Sequence, residues 1–141
     1  MKSTKKAFTM IELVFVIVVL GILAAVAVPR LAATRTDAQV TKARADIATI
    51  RSGIINERQG RLFRGQSNFI ATLDANNGQL FSSIMTYPIT AGTTDGHWSQ
   101  SAATTYNFRI LGANNRFDYN AATGTFDCVT ASAPSCGILT D

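Results

Sequence analysis

One histidine, two cysteines, three prolines and one tryptophan occur in the 141 residues, and only 16% of the chain is charged. Each scarcity narrows the field. His97, between Gly96 and Trp98 in an apparent loop, has no local signature of nucleophile, base and orienter around it, so it reads as a structural or surface residue and no enzyme is expected. Cys128 and Cys136 have no histidine and no carboxylate cluster beside them, which makes a poor metal site. Their closeness in a stretch rich in Thr, Ala, Ser and Pro reads as one disulfide, worth about 2.5 kcal/mol by chain entropy and implying an oxidising compartment. Acidic residues number 9 against 13 basic ones, a net +4, but Lys2, Lys5 and Lys6 fall within the first seven residues. Without those three the balance is 10 to 9, and global basicity no longer argues for nucleic acid. Arg58, Arg61 and Arg64, with Phe63 among them, remain as a small patch offered to DNA phosphates.

Long apolar runs are also few: there is one, from Phe8 to Val28, and it follows the basic leader Met1 to Ala7 directly. Its 21 residues at a rise of 1.5 Å cover about 31 Å, the thickness of a bilayer core. Glu12 lies inside it. An acid at the middle of a spanning helix costs on the order of 2.5–3.5 kcal/mol, less near an end, so the carboxylate asks for a partner. A secretory signal, with Ala25-Val26-Ala27 as its cleavage site, would leave Glu12 without a role and discard half of a helical pattern. An uncleaved anchor leaves Glu12 equally unexplained.

Pro29 ends the apolar run and predicts a kink or local break. Beyond it Thr36, Val40, Ala43, Ile47, Ile50 and Ile54 recur at helical spacing, while Arg35, Gln39, Lys42 and Asp46 occupy another face, with Lys42 and Asp46 placed to pair. Gly60 is the expected stop. Residues 61–101 read as a connector of short apolar clusters with one short helix near Gly78 to Met85. Thr104 to Leu111 alternates as a strand, and Arg116 to Asn120 and Thr125 to Val129 form a hairpin around Ala121-Ala122-Thr123-Gly124. The expected fold is α+β: a long N-terminal helix, membrane half (8–29) then amphipathic half (30–60), packed on a small antiparallel sheet (102–141).

Lys5-Lys6-Ala7-Phe8-Thr9-Met10-Ile11-Glu12-Leu13, continuing through Gly21 to Val28-Pro29, resembles the N-terminal signature of type IV pilins and of the pseudopilins of type II secretion and DNA-uptake systems. The resemblance implies a pilin-like fold and a leader, residues 1–7, that prepilin peptidase removes between Ala7 and Phe8 before methylating the Phe8 amine. The family usually has glycine before the cut; Ala7 keeps the side chain small, and processing is still expected. Glu12 would then meet the Phe8 amine of a neighbouring subunit, two charges costly in hydrocarbon that neutralise on docking. Gly21 and Pro29 would bracket a stretch able to lose helical order.

The implied partners are other copies and other pilins, the peptidase, the membrane, and an inner-membrane assembly platform with its ATPase. The implied location is a bacterial inner membrane, single-pass with a periplasmic head, and then a pilus or pseudopilus. Calcium binding, known in the C-terminal region of major pseudopilins, would fall to Asp95, Asp118 and Asp127, but these form no recognisable ligand loop and no cofactor is expected. The reading from a different class is a membrane-anchored or secreted binding module whose head takes DNA or another ligand through Gly60 to Ser101.

Overall fold

The computed structural model describes residues 8–75, 77–129 and 135–140. The leader, Ala7 included, lies outside the described residues. The chain separates into two units, Met1–Arg35 and Thr36–Asp141. Helix α1, Met10–Phe63, supplies the described helical residues of the first and the opening segment of the second.

In the first unit every described side chain from Phe8 to Leu31 is exposed, which for a run of Ile, Leu, Val and Phe means a surface built for something other than water. Of the kink or local break expected at Pro29, the break does not occur, since α1 continues through it. Proline removes one helical hydrogen bond, but the bonds on either side persist, and membrane helices accommodate such a loss.

In the second unit the predicted stripe is the buried face: Ala43, Ile47, Ile50 and Ile54 enter the core, with Val40 partly buried beside them. The helix overruns Gly60 and stops at Gly65. There the Gly65 N–H donates to Leu62 O at 2.9 Å and the Gln66 N–H to Arg61 O at 2.9 Å, the paired bonds of a Schellman cap, with Gly65 at φ +75° where a side chain would be strained.

Four antiparallel strands follow in the order β1-β2-β3-β4: β1 Trp98–Ala102, β2 Thr105–Ile110, β3 Ala113–Asn120 and β4 Thr125–Cys128. β2 alternates strictly, placing Tyr106, Phe108 and Ile110 inward, and Phe117 and Tyr119 of β3 and Phe126 of β4 continue the same face. Six aromatic rings, Phe81, Trp98, Tyr106, Phe108, Phe117 and Phe126, interlock with centroids 4.6–6.0 Å apart. Burial of each contributes on the order of 1.5–3 kcal/mol, so this cluster is the main source of the head's stability. The predicted hairpin exists, and Gly124 closes it where a Cβ would stand 2.1 Å from the Phe69 ring.

Three expectations need correction. Gly78 to Met85 is no helix: Gly78 and Phe81 have φ of 77° and 59°, which an α-helix cannot contain, and only a single turn at Phe81 forms. The sheet has a fourth strand, β1, inside the supposed connector, because Trp98 is its only large apolar residue and the period-2 signal is nearly absent. A short helix α2, Cys136–Thr140, closes the described chain and buries Cys136 and Leu139.

Candidate assembly site

The start of α1 is fixed by two residues. Thr9 precedes the first helical residue, and Glu12 is the third residue within the helix. The Thr9 N–H and the Thr9 hydroxyl both donate to Glu12 Oε2, at 2.8 and 2.9 Å, and the Glu12 N–H donates back to Thr9 Oγ1 at 3.3 Å. This is a reciprocal capping box, Thr-x-x-Glu, satisfying donors that every helix N-terminus leaves open and setting the negative charge at the positive end of the helix dipole. Glu12 Oε1 has no hydrogen-bond partner among the described residues. Thr9 was missed as a functional residue at the sequence level, although the Thr-x-x-Glu spacing carries its signal.

Around Glu12 the side chains of Ile11, Val14, Phe15 and Val18 line an open concavity of about 450 Å³. Phe8 is 87% exposed beside it. Gly21, further along, has open space where a Cβ would stand, so no contact in this unit demands a glycine there. The Glu12 carboxylate is therefore exposed, with Oε2 engaged by Thr9, and lies among apolar side chains.

The prokaryotic N-terminal methylation motif matches residues 2–28. This is a prepilin-type N-terminus. The motif is the signature of type IV pilins and pseudopilins, a structural and non-enzymatic family whose members are substrates of prepilin peptidase. No curated protein and no solved structure matches the chain. The first part of α1 is long and apolar enough to cross a membrane once.

The other sequence-derived candidates, the Arg58, Arg61 and Arg64 patch and the three aspartates, lie in the head and are brought to no common site. Arg64 pairs with Glu57 at 3.1 Å, Arg61 Nε donates to Asn68 O at 3.0 Å, and the Arg58 guanidinium stacks 4.0 Å from the Phe69 ring centroid. The three arginines of the supposed DNA patch therefore each serve an internal contact. Asp95, Asp118 and Asp127 pair with Arg109, Arg116 and Arg51 respectively, at 3.3, 2.9 and 3.0 Å. Neutralised one by one, they do not fit a calcium ligand set, and no group of three or more metal-ligating side chains converges among the described residues. The hydrogen bond to Asp118 holds the Arg116 guanidinium above its ordinary pKa.

His97 is exposed, its Nδ1 3.0 Å from Thr94 Oγ1. Lys42 and Asp46 pair at 3.0 Å as expected, and the same Asp46 oxygen accepts the Trp98 indole N–H at 3.0 Å, which ties α1 to β1. Cys128 and Cys136 form the expected disulfide, joining the end of β4 to the start of α2. Two further contacts secure the same end: Arg44 donates twice to Ile138 O, at 2.9 and 2.7 Å, and buried Asn115 accepts the Ser135 N–H at 2.9 Å.

Proposed function

We propose that this protein is a filament subunit: a single-pass inner-membrane precursor, cut between Ala7 and Phe8, methylated on Phe8, and polymerised through α1 into a type IV pilus or pseudopilus. The observation that carries the reading is the methylation motif overlapping the start of a helix whose apolar residues from Met10 to Leu31 are all exposed. The leader is residues 1–7, the assembly helix 8–29, the amphipathic half 30–60 and the periplasmic head 61–141. An assembly platform and its ATPase supply the work.

Glu12 is the register signal. Its Oε2 is held by Thr9 and its Oε1 is open, so the Phe8 amine of a neighbour has a fixed acceptor to find. Docking neutralises two charges in a medium of low dielectric, and a subunit out of register leaves both unpaired.

The head half of α1 supports the same reading. Opposite the core stripe, Thr41, Ala45, Ala48, Ser52, Ile55, Gln59 and Leu62 follow at alternating spacings of four and three, all exposed and none charged. Small side chains at this spacing allow a second helix to approach closely.

The test has two parts. Mass spectrometry of the mature chain should find N-methylated Phe8; an intact Met1, or a start at Val28, overturns the processing step. Glu12→Ala should insert in the membrane and be processed normally yet yield at least tenfold fewer filaments, and wild-type filament numbers from that variant overturn the role of Glu12.

A further inference from the structure

A cleft of about 390 Å³ lies in the head, within the range of roughly 300–1,000 Å³ typical of ligand sites. Its lining includes Asp74, Gln79, Gly92 and Thr93, with Ser99 and Gln100 of β1. Two independent features mark it.

The first is an unfinished sheet edge. β1 is an edge strand, and its pairing with β2 fixes which backbone groups face outward. The Arg109 N–H donates to His97 O, so His97 and Ser99 turn their backbone groups toward β2 while Trp98 and Gln100 turn theirs away. Trp98 O is taken by the Gly92 N–H at 2.9 Å. The Gln100 N–H and C=O, one register further on and just before the register shift between Gln100 and Ala102, have no such cover among the described residues, and Gln100 lines the cleft.

The second is a carboxylate without a cation. All five ion pairs among the described residues use other acids, and no basic group pairs with Asp74. It is held in place by neutral donors instead: the Phe81 N–H to Oδ1 at 2.6 Å, and Gln100 Nε2 at 2.7 Å and the Tyr106 hydroxyl to Oδ2. These donors orient the charge and leave it uncompensated on the cleft wall.

We propose that the cleft binds an extended peptide segment of a partner protein, which pairs with the open backbone of Gln100 at the edge of β1 and sets a lysine or arginine side chain against Asp74. Strand addition takes its affinity from main-chain hydrogen bonds and its selectivity from side-chain contacts, and here Gln100 supplies the first and Asp74 the second. Thr93, Ser99 and Gln79 add hydroxyl and amide partners but no competing charge. The inference goes beyond filament assembly and stands whether or not the subunit polymerises.

The experiment uses the full chain in detergent micelles, isotope-labelled for amide NMR. The probe is a capped five-residue peptide alternating valine and lysine. The expected result is saturable shifts confined to the amides of Gly92 to Gln100 and of the Asp74 loop. Replacing lysine by norleucine, or methylating alternate peptide nitrogens of the probe, should each weaken binding by roughly tenfold. Asp74→Asn should erase the preference for lysine over norleucine. Because that change could disturb the Tyr106 and Phe81 contacts, Thr93→Trp is the second variant: it fills the cleft from an exposed position, and binding should be lost with the fold intact. Four results overturn the proposal: no shifts at millimolar peptide, equal binding of the norleucine probe, free lysine amide binding as tightly as the peptide, or unchanged binding to folded Thr93→Trp.

Discussion

Tyr106 is wholly buried, and its hydroxyl donates to Asp74. Burial first, then the hydrogen bond and the charge of Asp74, push the phenol well above its ordinary pKa, although the Gln100 side chain and the Leu73 backbone pull the other way. An unfolded tyrosine ionises near pH 10. The folded phenol keeps its proton there, so its contribution to stability is complete below about pH 10 and falls as pH rises above it, by up to about 1.4 kcal/mol per pH unit. Tyr119, also raised by burial, acts in the same direction. Denaturant titrations between pH 8 and about pH 11 should show Tyr106→Phe losing less stability with pH than the wild type. Parallel slopes would remove the phenol from the explanation.

At the scale of elements, what could be read from sequence followed burial. The α1 core stripe, β2 and the β3–β4 hairpin alternate apolar and polar residues at the period of their structure, and each appears where expected. β1 escaped because its contacts are carried by one indole and by backbone pairing, neither of which leaves a periodic trace. The turn at Phe81 escaped because a buried aromatic residue at positive φ is imposed by its surroundings, here the Asp74 carboxylate that accepts its N–H. At the N-terminus Glu12 was conspicuous by its setting, whereas Thr9 drew no notice because a threonine among apolar residues is ordinary. The Cys128–Cys136 bond belongs to this scale too, since it attaches α2 to β4. A Cys128→Ser, Cys136→Ser double variant should lose about 2.5 kcal/mol in denaturant titration. Full retention of stability would mean that the Arg44 and Asn115 contacts already hold that end.

At the scale of the whole molecule, the head-side segment of α1 has one buried face and one exposed face, and the proposed filament would use the second. Ala43, Ile47, Ile50 and Ile54 serve the head, and the Ala45, Ala48, Ser52 and Ile55 face is left outward. A charge on the outward face should therefore spare the fold and harm assembly. Ala48→Glu is expected to change stability by less than about 0.5 kcal/mol, as exposed substitutions do, while reducing filament number at least tenfold by electron microscopy. Abundant filaments from a stable Ala48→Glu protein would show that neighbours do not meet there.

The Thr9–Glu12 cap bears on time as well as on geometry. A membrane-resident acid with no companion would press a newly made chain to polymerise at once or be degraded. With Thr9 sharing the burden from the moment the helix forms, a subunit of the proposed filament would not need a neighbour at once, and assembly would be free to lag behind synthesis.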